Sequence, residues 1–106
     1  MGLYYDREGE PITLAQFDLF LGLEGYRRVA ATQVGPYWVS TVWLGIDHAF
    51  GGGPPLIFET MVFATSDAVR GLGPDLECQR YSTEAEALQG HEDTVTLVRA
   101  TTQEVP

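Results

Sequence analysis

Tyr37-Trp38-Val39-Ser40-Thr41-Val42-Trp43-Leu44 and Leu56-Ile57-Phe58-Glu59-Thr60-Met61-Val62-Phe63 are two strand-length apolar runs, joined by Gly45-Ile46-Asp47-His48-Ala49-Phe50-Gly51-Gly52-Gly53-Pro54-Pro55. Their reading decides the fold. β-branched and aromatic residues dominate both runs, and the glycine-proline connection breaks any helical period, so the pair reads as an antiparallel hairpin with a long loop. Within the runs, both alternating sets are largely apolar: Val39 and Trp43 against Trp38, Val42 and Leu44, then Leu56, Phe58 and Val62 against Ile57, Met61 and Phe63. A sheet apolar on both faces is expected to be covered on both.

Working outward, Arg27-Arg28-Val29-Ala30-Ala31-Thr32-Gln33 reads as a preceding strand, turned into the first run by Val34-Gly35-Pro36-Tyr37. The three strands make a meander. Upstream, Asp6-Arg7-Glu8-Gly9 supplies turn chemistry between Leu3-Tyr4-Tyr5 and Pro11-Ile12, giving a small hairpin or extended entry. Thr13 and Gln16 have the spacing of a capping box, and Leu14, Phe17, Phe20 and Leu21 then predict a helix ended by Gly22 or Gly25 in the left-handed conformation. Downstream, residues 65–75 read as a connecting loop and residues 76–81 as a short fourth strand. A last helix starts at Ser82 or Thr83, with Thr83 and Glu86 as a second capping box and Ala85, Leu88, His91, Val95 and Val98 as its apolar stripe. The tail from Thr101 to Pro106 is patternless. The expected architecture is α+β: a small antiparallel sheet of three or four strands with an N-terminal and a C-terminal helix packed on it, over a single domain of residues 1–106.

The 106 residues suit one domain with its own core, and 44% hydrophobic with 20% charged residues is ordinary for a soluble chain. No apolar run approaches the roughly 18 residues of a membrane span, and no charged-then-apolar leader opens the sequence, so a cytoplasmic protein is expected. A single cysteine, Cys78, forms no internal disulfide and agrees with a reducing compartment. The net charge is -9, from 15 acidic residues against six arginines and no lysine, which disfavours the phosphate contacts that dominate nucleic-acid affinity. Solubility, or attraction to a basic protein surface, is what such a charge serves.

The segments Trp43-Leu44-Gly45-Ile46-Asp47-His48-Ala49-Phe50-Gly51-Gly52-Gly53-Pro54-Pro55-Leu56-Ile57-Phe58-Glu59-Thr60-Met61 and Arg80-Tyr81-Ser82-Thr83-Glu84-Ala85-Glu86-Ala87-Leu88-Gln89-Gly90-His91-Glu92 resemble a family of short uncharacterised proteins encoded by actinobacterial phages and related bacterial genomes. The resemblance extends from the Tyr4-Tyr5-Asp6 turn to the last helix. It implies a phage or prophage context, inside an infected cell or in a virion, and brings no biochemical activity with it.

No spacing in the chain matches an established catalytic, metal or nucleotide signature, and no catalytic residue is assigned. His48, Glu59 and His91 are the one set of residue types able to hold zinc with a position open for water, which would make a small metal-dependent hydrolase. That requires three separated segments to converge, without the His-x-x-x-His or Cys-x-x-Cys spacing that would support it. The plainer expectation is a core histidine at position 91, a Glu59 paired with Arg27, Arg28 or Arg80, and no metal or other cofactor. Phe50-Gly51-Gly52-Gly53-Pro54-Pro55 lacks the lysine and the Ser/Thr of a phosphate-binding loop and leads into a strand. As an exposed loop it is a recognition candidate, with Asp47, His48, Phe50 and Gly52 as its binding residues. Cys78 is expected to be a buried, inert thiol, and Trp38, Trp43, Tyr37 and Phe58 to be core. The functional expectation is a small acidic binding or regulatory protein without catalytic activity, acting through a host or phage protein partner, with a homo-oligomer as an alternative form. A virion or assembly component is the further alternative.

Overall fold

A computed structural model describes residues 3–47, 52–64 and 78–103. Two short strands, β1 (Tyr4–Tyr5) and β2 (Pro11–Ile12), pair antiparallel as an N-terminal hairpin. Helix α1 (Leu14–Leu21) follows, then a single helical turn α2 (Glu24–Arg27), then strands β3 (Arg28–Val34), β4 (Tyr37–Trp43), β5 (Phe58–Ala64) and β6 (Cys78–Tyr81), and finally the long helix α3 (Glu84–Gln103). The four longer strands form one antiparallel sheet in the order β3-β4-β5-β6, so the expected meander and fourth strand are both present and the class is α+β. Residues 65–75, read as a loop, lie outside the described residues. Among those described, no helix is long and apolar enough to cross a membrane.

Both helix starts follow from their capping boxes. At α1, the Gln16 backbone N–H donates to Thr13 Oγ1 at 3.1 Å while the Thr13 N–H donates to Gln16 Oε1 at 2.9 Å. At α3, Glu86 N–H donates to Thr83 Oγ1 at 3.1 Å and Thr83 N–H to Glu86 Oε1 at 3.2 Å. Each box satisfies backbone donors that a helix start otherwise leaves without partners. The end of α1 differs from expectation: Gly22 caps it with φ -76°, a right-handed conformation, and the chain passes directly into α2. That extra turn was not legible because Glu24-Gly25-Tyr26-Arg27 is too short to show a period.

The stripe of α3 is displaced by one residue at its start. Ala87, His91, Thr94, Val95 and Val98 are buried, whereas Ala85 and Leu88 are exposed. Gly90 is the reason. A side chain there would collide with the Tyr81 ring, so the helix meets the end of β6 through bare backbone and rotates Ala87, not Leu88, toward the sheet. The apolar face expected for α1 is likewise only half used: Phe17 is buried and Phe20 partly so, but Leu14 and Leu21 face outward.

Two clusters fill the interior. One is Val34, Tyr37, Val39 and Val62 of the sheet under Val95 and Val98 of α3. The other surrounds Trp43: Phe17, Ile57, Phe58 and Ala87, with Tyr4, Phe20 and Tyr26 against it. The Tyr26 ring meets Trp43 edge-on at 5.0 Å and stacks on Phe20 at 4.3 Å. Trp43 Nε1 donates to the Tyr5 carbonyl at 2.9 Å, and Tyr5 N–H donates to the Gly45 carbonyl at 2.8 Å, which docks the N-terminal hairpin on the end of β4. Arg7 closes this layer. Its guanidinium forks onto Glu84 at 2.8 and 2.7 Å, donates to the Tyr26 carbonyl at 3.1 Å and lies 5.5 Å over the Tyr26 ring. The Glu84 hydrogen bonds raise the Arg7 pKa and hold the Glu84 carboxyl below its usual range.

Gly45 sits at φ +77°, and a Cβ there would come within 2.6 Å of both Phe17 and Trp43. Gly45→Ala is therefore expected to destabilise the protein by about 2 kcal/mol or more, since left-handed strain and overpacking act together. Gly25, in α2, has open space and no positive φ. Gly25→Ala should be neutral or stabilising by about 0.5 kcal/mol, as helix propensity gives. Urea unfolding of the two variants measures the contrast.

Candidate functional site

The sheet register sorts every residue of interest onto one of two faces. Tyr37, Val39, Thr41 and Trp43 of β4 point to the helix side with Phe58, Thr60 and Val62 of β5, and all are buried. Their neighbours in alternation point the other way.

On the helix side, His91 is 2% exposed. Its Nδ1 lies 2.8 Å from Thr41 Oγ1 and its Nε2 lies 2.9 Å from Thr32 Oγ1, and Thr41 Oγ1 is in turn 2.5 Å from Thr60 Oγ1. A neutral imidazole has one donor and one acceptor nitrogen, so one of its two hydroxyl partners donates to the ring and the other accepts from it. One side chain of α3 is thus tied to β3 and β4 directly and to β5 through Thr41. Burial lowers the His91 pKa, with a smaller opposing contribution from Glu92. The ring is a structural bridge held neutral. Its burial is as the helical stripe predicts, whereas the threonines escape a reading that counts only apolar residues.

On the opposite face, the register aligns three rows across the strands. Arg28, Val42, Glu59 and Arg80 form the first, Ala31, Ser40, Met61 and Cys78 the second, and Gln33, Trp38 and Phe63 the third. Glu59 Oε2 accepts from Arg80 Nε at 3.0 Å, the pairing anticipated for it, and from Cys78 Sγ at 3.3 Å. Cys78 is exposed, a correction to the buried thiol expected from residue type: β6 is the sheet edge and Cys78 lies on the uncovered side. Trp38 is half-buried on this face, while Tyr37, Trp43 and Phe58 are core as expected. No described helix crosses this face. Among the described residues, α1 packs around Trp43 at one end of the helix side and α3 is the main cover of a single face, so the cover expected on the second face is met by no described helix.

The structure therefore does not bring Glu59 and His91 together: the sheet itself lies between them. His48, the third member of that set, and Phe50 of the recognition loop lie outside the described residues. Asp47 Oδ1 accepts from the Leu56 N–H at 2.9 Å, so it ties the two ends of the long connection. Gly52 is exposed at φ +95°. Among the described residues, no group of three or more histidine, cysteine or acidic side chains gathers as metal ligands would. A shallow groove lies between β6 and α3, lined by Gln79, Arg80, Tyr81, Glu86, Gln89 and Asp93 among others. Its charged groups are already engaged: Glu86 in the capping box, Arg80 with Glu59, and Asp93 with Gln89 at 3.0 Å. The sheet face that no described helix covers is the candidate site.

No family model, no curated protein and no solved structure matches the chain in these comparisons.

The His91 bridge has a pH signature of fixed sign. Its folded pKa lies below the unfolded value of about 6.5, so the unfolded chain binds the proton more readily. The stabilisation is complete above that value and declines as pH falls toward the folded pKa. Unfolding free energy measured across this window should fall with acidification in the native protein and flatten in His91→Gln, which cannot titrate. His91→Ala should cost about 2–4 kcal/mol at neutral pH, from the cavity and the stranded threonine hydroxyls.

Proposed function

We propose that this chain is a small acidic binding or regulatory protein without chemistry of its own, acting by contact with another protein through the open face of its sheet. The observation that supports this best is the combination of half-buried and exposed apolar side chains on that face, with Phe63 at 44% exposure, and no described helix across them. Contiguous apolar surface on a folded domain favours contact with another protein. Among the described residues, two of the three groups considered for metal chemistry have structural partners: His91 holds the helix to the sheet, and Glu59 is paired with Arg80 on the other side. A net charge of -9 argues against nucleic acid as the partner. The resemblance to phage-encoded proteins supports an infected cell, in its cytoplasm or in an assembling virion, as the setting.

The test is affinity purification of the tagged protein from infected cells, with Phe63→Glu as the matched control. A protein retained in stoichiometric amount by the native face and lost from the variant is the expected result. Equal recovery on both, with the variant folded, would remove the open face from the account.

A further inference from the structure

The hydroxyl and imidazole groups between α3 and the sheet leave one consistent assignment of their hydrogens. The Thr60 side chain is 1% exposed, and among the described residues its hydroxyl has one hydrogen-bond partner, Thr41 Oγ1. Thr41 is fully buried and stands between Thr60 and His91 Nδ1. Thr32, half-buried on the edge strand β3, meets His91 Nε2 at the other end. Each hydroxyl has one hydrogen to give, and a neutral imidazole gives one and accepts one. If the ring proton sat on Nδ1, Thr41 Oγ1 would receive it, Thr41 would give its own hydrogen to Thr60, and the Thr60 hydrogen would be left in the core without an acceptor. A buried, unpaired donor is costly. With the ring proton on Nε2 the order runs the other way: Thr60 gives to Thr41, Thr41 gives to Nδ1, and Nε2 gives to Thr32. The one hydrogen left over then belongs to Thr32, at the end of the column that reaches solvent.

We infer that this column is a one-way, proton-sensitive latch between α3 and the sheet, with the neutral ring protonated on Nε2: a second proton, taken up at Nδ1, makes both ring nitrogens donors, turns the Thr41 and Thr60 hydroxyls around and strands the Thr60 hydrogen. The inference stands on the helix side alone and does not depend on what contacts the other face. Burial of the ring already disfavours its charged form, with Glu92 in partial opposition, and the hydroxyl order adds a second penalty of the same sign. The sheet supplies no compensating carboxylate. Among the described residues of the strands packed against α3, the titratable side chains on the helix side are the phenols of Tyr37 and Tyr81, while Arg28, Glu59, Cys78 and Arg80 lie on the opposite face. On α3 itself, Glu92 adjoins the ring in sequence, Glu86 and Asp93 are engaged at the helix surface, Glu84 is held by Arg7 at the start of the helix, and Arg99 lies two turns beyond. Docked, α3 keeps its imidazole neutral, and the proton enters when the helix opens. The same order makes Thr32 the receiver of the ring proton, so the imidazole is not a base toward that hydroxyl.

Long-range proton-nitrogen correlation of the ring in the nitrogen-labelled full chain reads the tautomer directly, with His91→Gln identifying which signals belong to His91 and which to His48. A protonated Nε2 and a bare Nδ1 are expected at neutral pH, and the same pattern in Thr60→Val, which removes only the hydroxyl that gives into the column. A protonated Nδ1 in the native protein, or a tautomer that changes in Thr60→Val, overturns the inference. Amide hydrogen exchange along α3, corrected for the intrinsic exchange rate, reads the latch. As pH falls from the unfolded histidine value of about 6.5 toward the lower pKa of the docked ring, the opening constant of α3 should rise about tenfold per pH unit, because opening takes up one proton. In His91→Gln it should stay level over the same window. An opening constant in the native protein that does not respond to pH, a slope that persists in His91→Gln, or a folded-state ring that titrates at or above the unfolded value would each discard the latch.

Discussion

The hydrogen-bonded column from His91 through Thr41 to Thr60, with Thr32 on the other ring nitrogen, is the interaction on which the arrangement of helix and sheet depends. A hydrophobic stripe alone lets a helix slide or rotate over a sheet at modest cost, since apolar contact has little direction. An imidazole with both nitrogens engaged at 2.8 and 2.9 Å admits one position and one rotation. Valines 95 and 98 then seat in one cluster and Ala87 in the other, and Gly90 brings the helix backbone against Tyr81. The bond network is bought with desolvation, which is why the ring is kept neutral.

The second constraint is one of supply. Strands β4 and β5 carry apolar residues on both faces, and one long helix covers one face. The N-terminal hairpin and α1 do not pass to the other side, because Trp43 holds them: its indole donates to the Tyr5 carbonyl and its ring receives Phe17, Phe20 and Tyr26. Arg7 fastens the same layer to the start of α3 through Glu84. What remains on the far face is a surface with aromatic residues at one end and arginines at the other.

Much of the fold was legible because its signals are local. Both capping boxes, the Gly35-Pro36 turn and the three successive strands each depend on residues within a few positions of one another. The misreadings have a common origin in contacts that local period cannot register. Leu88 was placed on the buried stripe of α3 by its spacing, but Gly90 against Tyr81 sets the rotation. Cys78 was judged by the habits of its residue type, but its exposure follows from lying on the uncovered side of an edge strand. The candidate site was the least legible part. His48, Glu59 and His91 looked like one chemistry on a list of residue types, and the alternation of β5 puts Glu59 on the face opposite the histidine bridge.

The sequence by itself determined the α+β fold class, the order of the longer elements, the two-faced apolar character of the central strands and the burial of His91, because periodicity and capping are properties of neighbouring residues. Only the tertiary structure decided which face α3 takes, that Thr32 and Thr41 meet one imidazole with Thr60 behind Thr41, and that Arg28, Glu59 and Arg80 stand in one row. Those facts join residues 20 to 60 positions apart, and such juxtapositions arise from strand register and helix docking, which are settled by the packing of the whole chain.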